Sequence, residues 1–284
     1  MNETVFPAGW YPLIRAHDLG AGAAVRHLAG APIELRRTCA RVANGRCMKS
    51  GQPRAVAERS GWIFAAIGDR DTHEPCETEI FAGPNRQLHL EGYVRAGLGD
   101  VAENILDTTH TSVVHQDYLR KPGDRRCGEA QISSGDGWIS ATYPAGAAPS
   151  GWGARLLGAH RYTITDTFRA PAIAEVTYCR DGRMAFVARF RLTPARPGET
   201  YVAATIAVPG DGAWADLKLA ALKLFFQRIF AEDRAILELI GANRAAHGPA
   251  PLVFAPQDVL RPGIEAILSG RTPCAAPRRV LLKV

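Results

Sequence analysis

The segment 103–115 carries the side chains best suited to bind a metal ion. His110 and His115 lie five residues apart, and imidazole nitrogens at short spacing suit divalent transition metals. Asp107 stands three residues before the first histidine, where its carboxylate can accept a hydrogen bond from a ligand imidazole. Asn104 lies one helical turn earlier and can hydrogen-bond near an open metal position. The segment therefore predicts a metal site, with Asp107 and Asn104 as its candidate catalytic residues.

A regular helix would hold these two histidines apart. Five residues correspond to a rotation of about 140° around a helix, whereas two ligands on one helical face are four residues apart. We therefore expect the helix to bulge or end near Ser112, so that both imidazoles converge. Two alternatives remain at this point. The histidines could be a helix cap and a core residue, and Asn104 could be a solvent-facing amide.

A third, anionic ligand is predicted on a long helix over residues 213–240, with Gly241 as its C-terminal cap. Apolar residues recur along this helix in steps of three and four, namely Leu219, Leu222, Phe226, Ile229, Phe230, Leu237 and Ile240. Asp233 falls on the same face, where a carboxylate is costly to bury unless it is paired or metal-bound. Its neighbour Glu232 lies off the face. Asp233 would complete a 2-His-1-carboxylate set, which suits Fe(II) with positions open for O2 and substrate. The alternative is an aspartate at a wet edge or paired with an arginine.

Short strands and turns are predicted before the histidine segment. Residues 32–36 and 61–67 are the best strand candidates there, and Asn44–Gly45 is a hairpin signal. Residues 69–88 are rich in Asp, Glu and Pro and predict a linker.

A helix is then expected to begin at Asp100 as its cap, with Glu103 completing a capping box. In the remaining region apolar and polar residues alternate as they do in antiparallel strands. The runs are residues 130–134, 138–143, 161–169, 174–179, 184–192 and 201–208. Asp181–Gly182 is its strongest hairpin signal. Four to six antiparallel strands and a long helix packed across them predict an α+β fold.

Composition narrows the functional classes. The 284 residues are 46% apolar and 22% charged, as in soluble globular proteins. The sequence has no uncharged apolar run long enough to predict a membrane span, and we recognise no secretory signal in it. Six scattered cysteines fit reduced thiols and a cytoplasmic protein. The net charge of +6 is spread along the chain, so nucleic-acid binding is disfavoured. Docking of an acidic electron-transfer protein on a basic face is at least as plausible as nucleic-acid binding.

The candidate residues also carry a family resemblance. The run Asn104-x2-Asp107-x2-His110-x4-His115 resembles the iron-site motif of Rieske non-haem iron oxygenase α-subunits, in the spacing of the vanillate and dicamba demethylase branch. Residues 230–238 resemble the segment that supplies the third ligand in that branch, and residues 256–268 resemble its C-terminal end. Residues 9–13 and 58–64 resemble the first and last strands of its Rieske domain.

This resemblance implies a helix-grip-like catalytic domain, a curved antiparallel sheet with a long C-terminal helix, over residues 77–284. It also implies a small, degenerate Rieske-like β domain over residues 1–76. By residue, it implies His110, His115 and Asp233 as ligands of mononuclear Fe(II), with O2 as co-substrate. Asp107 would be the carboxylate that bridges electron transfer from a Rieske cluster to the iron.

The Rieske motif itself is missing from this chain. A Rieske cluster needs Cys-x-His followed by Cys-x2-His. Neither Cys39 nor Cys47 is followed by such a histidine, and no histidine stands between His27 and His73. We therefore expect no Rieske [2Fe-2S] cluster in this chain.

Electrons for O2 activation would then come from another protein. The methylxanthine N-demethylases of this family include an N7-demethylase subunit without its own cluster, which depends on a Rieske-bearing, NAD(P)H-dependent flavin reductase and a further oxygenase-like subunit. By this resemblance, the expected reaction is oxidative N-demethylation of a small purine, 7-methylxanthine to xanthine and formaldehyde. Two alternatives remain: O-demethylation or hydroxylation of another small aromatic, and a non-catalytic structural subunit of an oxygenase complex.

Overall fold

A computed structural model describes most of the chain, over residues 6–20, 22–39, 42–68, 75, 79–116, 119, 127–144, 151, 162–248, 251–273 and 277–283. The strands before the histidine segment are β1 Gly9–Arg15, β2 Ala23–Leu28, β3 Ala31–Cys39, β4 Val42–Cys47, β5 Pro53–Arg54, β6 Val56–Arg59, β7 Trp62–Ile67 and β8 Asn85–Val94. Two helices follow, α1 Leu98–Leu106 and α2 Thr111–Val114. The later strands are β9 Cys127–Gly135, β10 Trp138–Tyr143, β11 Thr163–Arg169, β12 Ile173–Arg180, β13 Arg183–Arg196, β14 Glu199–Pro209 and β15 Arg278–Lys283. Helices α3 Ala213–His247 and α4 Arg261–Leu268 lie between the last two of these strands.

The main body is an eight-stranded sheet in the order β15-β9-β10-β11-β12-β13-β14-β8, with antiparallel pairing throughout. The predicted α+β class is confirmed. Six of these strands match the six predicted runs, and Asp181 and Gly182 form the tight turn between β12 and β13, both at positive φ. The two edge strands, β8 and β15, were not predicted. Position 161, where the third predicted strand begins, lies outside the described residues.

Two small sheets precede the main sheet, β1-β7-β6 and β2-β3-β4-β5. Strands β1 and β7 are antiparallel partners. The predicted hairpin at Asn44–Gly45 is wrong, because both residues lie within β4 and pair with β3. Gly45 has a packing role instead, since a Cβ there would lie 2.7 Å from the Val56 side chain. The boundary expected between residues 76 and 77 lies outside the described residues, and the division into two domains stays a prediction.

The small sheets pack on the face of the main sheet opposite the long helix. The Thr193 hydroxyl on β13 donates to the Pro12 carbonyl of β1 at 2.6 Å. Trp62 and Phe64 of β7 form a second buried cluster with residues of β13 and β14. The other face of the main sheet is left for the helices.

Helix α3 packs on the main sheet over β8 and β14 and also contacts α1. It was predicted to end at Gly241, and this is wrong: the helix continues to His247, and Gly248 at φ +81° follows as its cap. Gly241 is needed for a different reason. Any Cβ at this position would overlap the Arg95 carbonyl oxygen, so glycine lets the helix meet the backbone after β8. A close approach of two backbones, rather than a helix end, explains this glycine.

Helix α1 begins at Leu98 with Gly97 as its N-cap, so the predicted capping box is wrong. Asp100 lies inside the helix and is 7% exposed. It does not cap the helix, because its carboxylate forms ion pairs with two arginines of other helices. It pairs with Arg244 of α3 and, at 3.0 Å, with Arg261 of α4. Arg261 also pairs with Glu103 and with Glu265 at 2.8 Å. This network ties α1, α3 and α4 together.

Among the described residues, no helix combines the length and the apolar character that are needed to cross a bilayer.

The close approach at Gly241 gives a stability prediction. Gly241→Ala should lower the free energy of unfolding by about 2 kcal/mol. Overpacking against a fixed carbonyl costs up to about 3 kcal/mol, and alanine recovers about 1 kcal/mol of helix propensity. Chemical denaturation measures the change. Asn243→Ala, at an exposed position two residues later, is the control and should be neutral or slightly stabilising. A Gly241→Ala protein as stable as the wild type would contradict this packing.

Candidate metal centre

The two histidines flank a single helical turn. Helix α1 ends at Leu106, His110 stands just before α2, and His115 just after it. The predicted interruption near Ser112 occurs earlier, at residues 107–110. The Asp107 carboxylate causes it by accepting hydrogen bonds from the Thr109 main chain at 2.7 Å and from the His110 main chain at 3.2 Å. An aspartate that binds the following backbone in this way competes with helix continuation.

Asp233 of α3 meets both imidazoles. Its Oδ1 atom lies 3.0 Å from Nε2 of His115 and 3.4 Å from Nε2 of His110. A set of donor atoms, one from each residue, lies within 4.8 Å of one another. Transition-metal ligands bind at about 2.0–2.2 Å, so neighbouring ligands of one ion are about 3 Å apart. The spacing of the three side chains fits one such ion.

The two Nε2 atoms are buried and make no hydrogen bond of acceptable geometry within the described part of the chain. The contacts with Asp233 are short in distance, but they are not aligned as hydrogen bonds. Buried polar atoms without partners are rare in folded proteins. Two such atoms that face one carboxylate are the arrangement expected of a metal site. The donor set therefore fits a divalent transition metal, although the assignment of these residues as ligands stays a prediction.

Each imidazole is oriented through its other nitrogen. Nδ1 of His110 lies 2.5 Å from the Asp107 main-chain carbonyl, so this nitrogen carries the proton and Nε2 is left to bind a metal. Asp107 was expected to hold the ring with its carboxylate, but that group is 4.0 Å away and bound to the turn. The contact with the ring is made by the main chain of Asp107 and not by its carboxylate.

Glu232 is a site residue that sequence reasoning missed. Its Oε2 lies 2.7 Å from Nδ1 of His115, and its Oε1 accepts from Arg228 at 2.9 Å. We had set Glu232 aside because it lies off the apolar face of α3. The contact with His115 spans 117 residues, so no local pattern in the sequence marks it. A carboxylate behind a ligand imidazole fixes its tautomer and strengthens it as a donor.

The carboxylates and imidazoles shift each other's protonation. Burial, the largest influence, lowers the pKa of His115, but Asp233 and Glu232 together outweigh it and the pKa lies above its ordinary value. Burial likewise raises the pKa of Asp233, but the two histidines outweigh it and hold that pKa below its usual range. Asp233 is therefore an anion at neutral pH, as a metal ligand must be.

Asn104 contacts the same carboxylate, that of Asp233. Its side-chain amide donates to Asp233 Oδ1 at a long 3.4 Å, so it lies beside the candidate ligands and not in solvent. Its predicted catalytic role stays a prediction.

A cavity of about 140 Å³ adjoins these residues. Its described walls are mainly apolar and come from both the sheet and the helices, with Leu90, Val94, Val101, Ile105, Leu119, Tyr143, Ile164, Val176, Tyr178, Phe190, Val202, Ala204, Phe225, Phe226, Ile229, Phe230 and Leu237 among them. The walls also include Asn104, His110, His115 and Asp233. The candidate metal centre therefore adjoins a mainly apolar space of the kind that binds small molecules.

Comparison with known structures finds the same fold in several oxygenases. Dicamba monooxygenase bound to dicamba superposes with a TM-score of 0.72 at 15% identity, covering 92% of this chain and 96% of that one. The caffeine-bound QL mutant of NdmA from Pseudomonas putida CBB5 gives 0.67 at 14% identity, covering 90% and 87%. The terminal oxygenase of carbazole 1,9a-dioxygenase from Novosphingobium sp. KA1 gives 0.65 at 12% identity, covering 95% and 94%. At these identities the likeness shows the fold.

Sequence comparison gives the family. No curated protein sequence matches the chain. The family model for the vanillate O-demethylase oxygenase C-terminal domain matches residues 94–260, which is more than half of the chain and contains all the candidate site residues. The chain therefore belongs to the vanillate O-demethylase oxygenase family of the Rieske non-haem iron oxygenases, a family of monooxygenases and demethylases.

Proposed function

We propose that the chain is the catalytic component of a multicomponent non-haem Fe(II) oxygenase, with His110, His115 and Asp233 as its iron ligands. The observation that carries this proposal is the meeting of three donor groups at one wall of the cavity. Two of them are buried imidazole nitrogens that have no hydrogen bond to any described residue. Dicamba monooxygenase, which shares the fold, has been solved with non-haem iron and dicamba.

The chain's own residues prepare this site. Iron bound by two imidazoles and one carboxylate keeps positions open for O2 and substrate, and supplies the oxidation chemistry. The Asp107 carbonyl and the Glu232 carboxylate hold the imidazole protons on Nδ1. Asp233 supplies the negative charge, and the apolar walls limit water around the reacting carbon.

Electrons would come from a separate protein. Cys39 and Cys47 lie on the paired strands β3 and β4, and neither is followed by the histidine that a Rieske cluster needs. We propose that a flavin reductase with its own Rieske domain passes electrons from NAD(P)H to this chain, in the cytoplasm. The small N-terminal sheets would provide a docking surface, and Asp107 would bridge the transfer to iron. A further oxygenase-like subunit would complete the assembly.

The proposed reaction is oxidative N-demethylation, with 7-methylxanthine as the specific substrate. One oxygen atom of O2 enters a methyl C–H bond, and the other leaves as water with two electrons and two protons. The resulting hemiaminal breaks its N–C bond to give xanthine and formaldehyde. The fold shared with NdmA, solved with caffeine and with theobromine, supports this substrate class.

Two alternatives differ in what they require of the site. O-demethylation or hydroxylation of another small aromatic would use the same metal ligands, so the ligands do not discriminate between substrates. A structural subunit without catalysis has no need for three convergent donors, and their meeting at Asp233 therefore favours an enzyme.

The first test is the metal itself. Anaerobically purified protein should hold about one iron per chain, since three ligands define one mononuclear site, and no acid-labile sulfide. Asp233→Ala removes the anionic ligand and should abolish iron retention. Asp216→Ala, an exposed aspartate at the start of the same helix, is the control and should keep the iron.

Either of two results would count against the assignment. Full iron occupancy in Asp233→Ala would remove this residue from the site. A wild-type protein that takes up no iron after Fe(II) reconstitution would favour the structural-subunit alternative.

Glu232 should matter for iron although it is not a ligand. Loss of a group that orients a ligand imidazole typically costs about 10- to 100-fold in metal affinity, and we expect this range for Glu232→Ala in competition with a chelator. Glu232→Gln keeps an acceptor oxygen and should lose less. Glu238→Ala removes a carboxylate on the same helix that pairs with Arg234, and should leave affinity unchanged. Equal affinity in Glu232→Ala and the wild type would show that the contact with His115 is incidental.

Turnover should depend on the Rieske-bearing partner. With a flavin reductase and a plain ferredoxin, the iron-loaded protein should release no formaldehyde from 7-methylxanthine. Addition of a reductase that carries a Rieske domain should start the reaction, and omission of NAD(P)H should stop it. Robust demethylation without the Rieske partner would refute the external source of electrons.

A further inference from the structure

Asp166 is a buried carboxyl group in the apolar wall of the cavity. It lies on β11 and is 2% exposed. Its cross-strand neighbours are Ala141 on β10 and Val176 on β12, and the next residues on the same face of its own strand are Ile164 and Phe168. None of these side chains can hydrogen-bond. Among the described residues, no hydrogen bond or ion pair satisfies the Asp166 carboxyl, although the residue lines the cavity.

The next strand, β12, also carries a buried carboxylate, and that one is paired with arginines. Glu175 on β12, 7% exposed, is paired with Arg189 at 2.6 Å and with Arg169 at 3.2 Å. Burial of a polar group without a partner destabilises a fold, and burial of an ionised group destabilises it more. Asp166 therefore weakens the fold where leucine or valine would strengthen it. A partner from outside the chain would account for its presence.

The form of the Asp166 carboxyl follows from its surroundings. Burial raises its pKa well above the usual range, and the charge of Asp107 adds to the effect. This shift favours the protonated form, which has one O–H donor and one carbonyl acceptor side by side. This pair complements a lactam, in which a carbonyl oxygen and an N–H are also adjacent.

We propose that Asp166 is the polar anchor for the substrate and selects uncharged lactam-type rings over arene carboxylates. The O–H group would donate to a ring carbonyl or ring nitrogen, and the carbonyl would accept a ring N–H. This inference rests on the proposed function for the identity of the cavity as the substrate site. It deepens that function by naming the residue that would recognise the substrate.

The charges along the wall favour the same class. Arg234 is the cationic side chain of the described lining, and it is exposed and paired with Glu238 at 3.0 Å. Asp107 and Asp233 also line the space. In the metal-free protein an arene carboxylate would lose its hydration next to groups of its own sign, and Arg234 is already paired with Glu238. A neutral ring carries no such cost.

Equilibrium binding tests this assignment without turnover. Theobromine and 7-methylxanthine are the lactam probes and dicamba is the carboxylate probe, titrated by calorimetry at pH 6.5 against metal-free and anaerobic Fe(II)-loaded protein. Both lactams should bind the wild type at least tenfold more tightly than dicamba. Asp166→Leu should weaken lactam binding at least tenfold, with iron content unchanged and an unfolding temperature equal to or above that of the wild type. Asp166→Asn keeps a donor and an acceptor and should bind within a few fold of the wild type.

Glu175→Gln is the matched control. It alters a buried carboxylate that has partners, and should lower the unfolding temperature while leaving both affinities unchanged. Three results would overturn the role of Asp166. These are lactam affinity unchanged in Asp166→Leu, dicamba binding as tightly as the lactams or more tightly, and no saturable lactam binding to the wild type.

The same titrations separate this inference from the proposed function. If the wild type and Asp166→Leu both hold iron and bind lactams with equal affinity, the anchor is refuted and the oxygenase assignment stays intact. Protein that binds no iron, yet binds lactams through Asp166, would refute the oxygenase assignment and leave the anchor intact.

Discussion

The ion pairs of Asp100 with Arg244 and Arg261 are the interactions on which the rest of the site depends. One buried carboxylate on α1 joins α3 and α4. Arg261 is buried as well, and removal of one partner from such a buried pair costs about 3–5 kcal/mol. Gly241, one turn before Arg244, lets α3 lie directly on the backbone after β8. The histidine turn follows α1, and Asp233 lies on α3. The distance between the candidate ligands is therefore set by contacts outside the site.

The meeting of the candidate ligands could be predicted from the sequence because local patterns expose each of them. The two histidines are close in the chain, and Asp233 interrupts an apolar helix face. Glu232 could not be found in this way, because its partner His115 is brought near only by the tertiary fold. Asp166 was missed for a related reason. Strand alternation predicts β11, but it does not reveal that one polar position on its buried face has no partner among the described residues.

The sheet was predictable where a strand carries its own signal, as at Asp181–Gly182 between β12 and β13. The errors come from residues whose role depends on distant contacts. Gly45 resembles a turn residue but packs against Val56, and Gly241 resembles a helix end but meets another backbone. Asp100 resembles a helix cap but pairs with two distant arginines. In each case tertiary packing overrides the local preference of the residue.

The short helix α2 has a consequence for stability as well as for chemistry. His110 and His115 stand at its two ends and form a local pair of donors, whereas Asp233 comes from a helix far along the chain. An ion held by all three would act as a cross-link that closes a long loop, which reduces the conformational freedom of the unfolded chain. Since the unfolded chain lacks the assembled set of donors, the binding energy of the ion adds to the folding energy. The same three side chains would then link α3 to residues 107–115 as well as hold the catalytic ion.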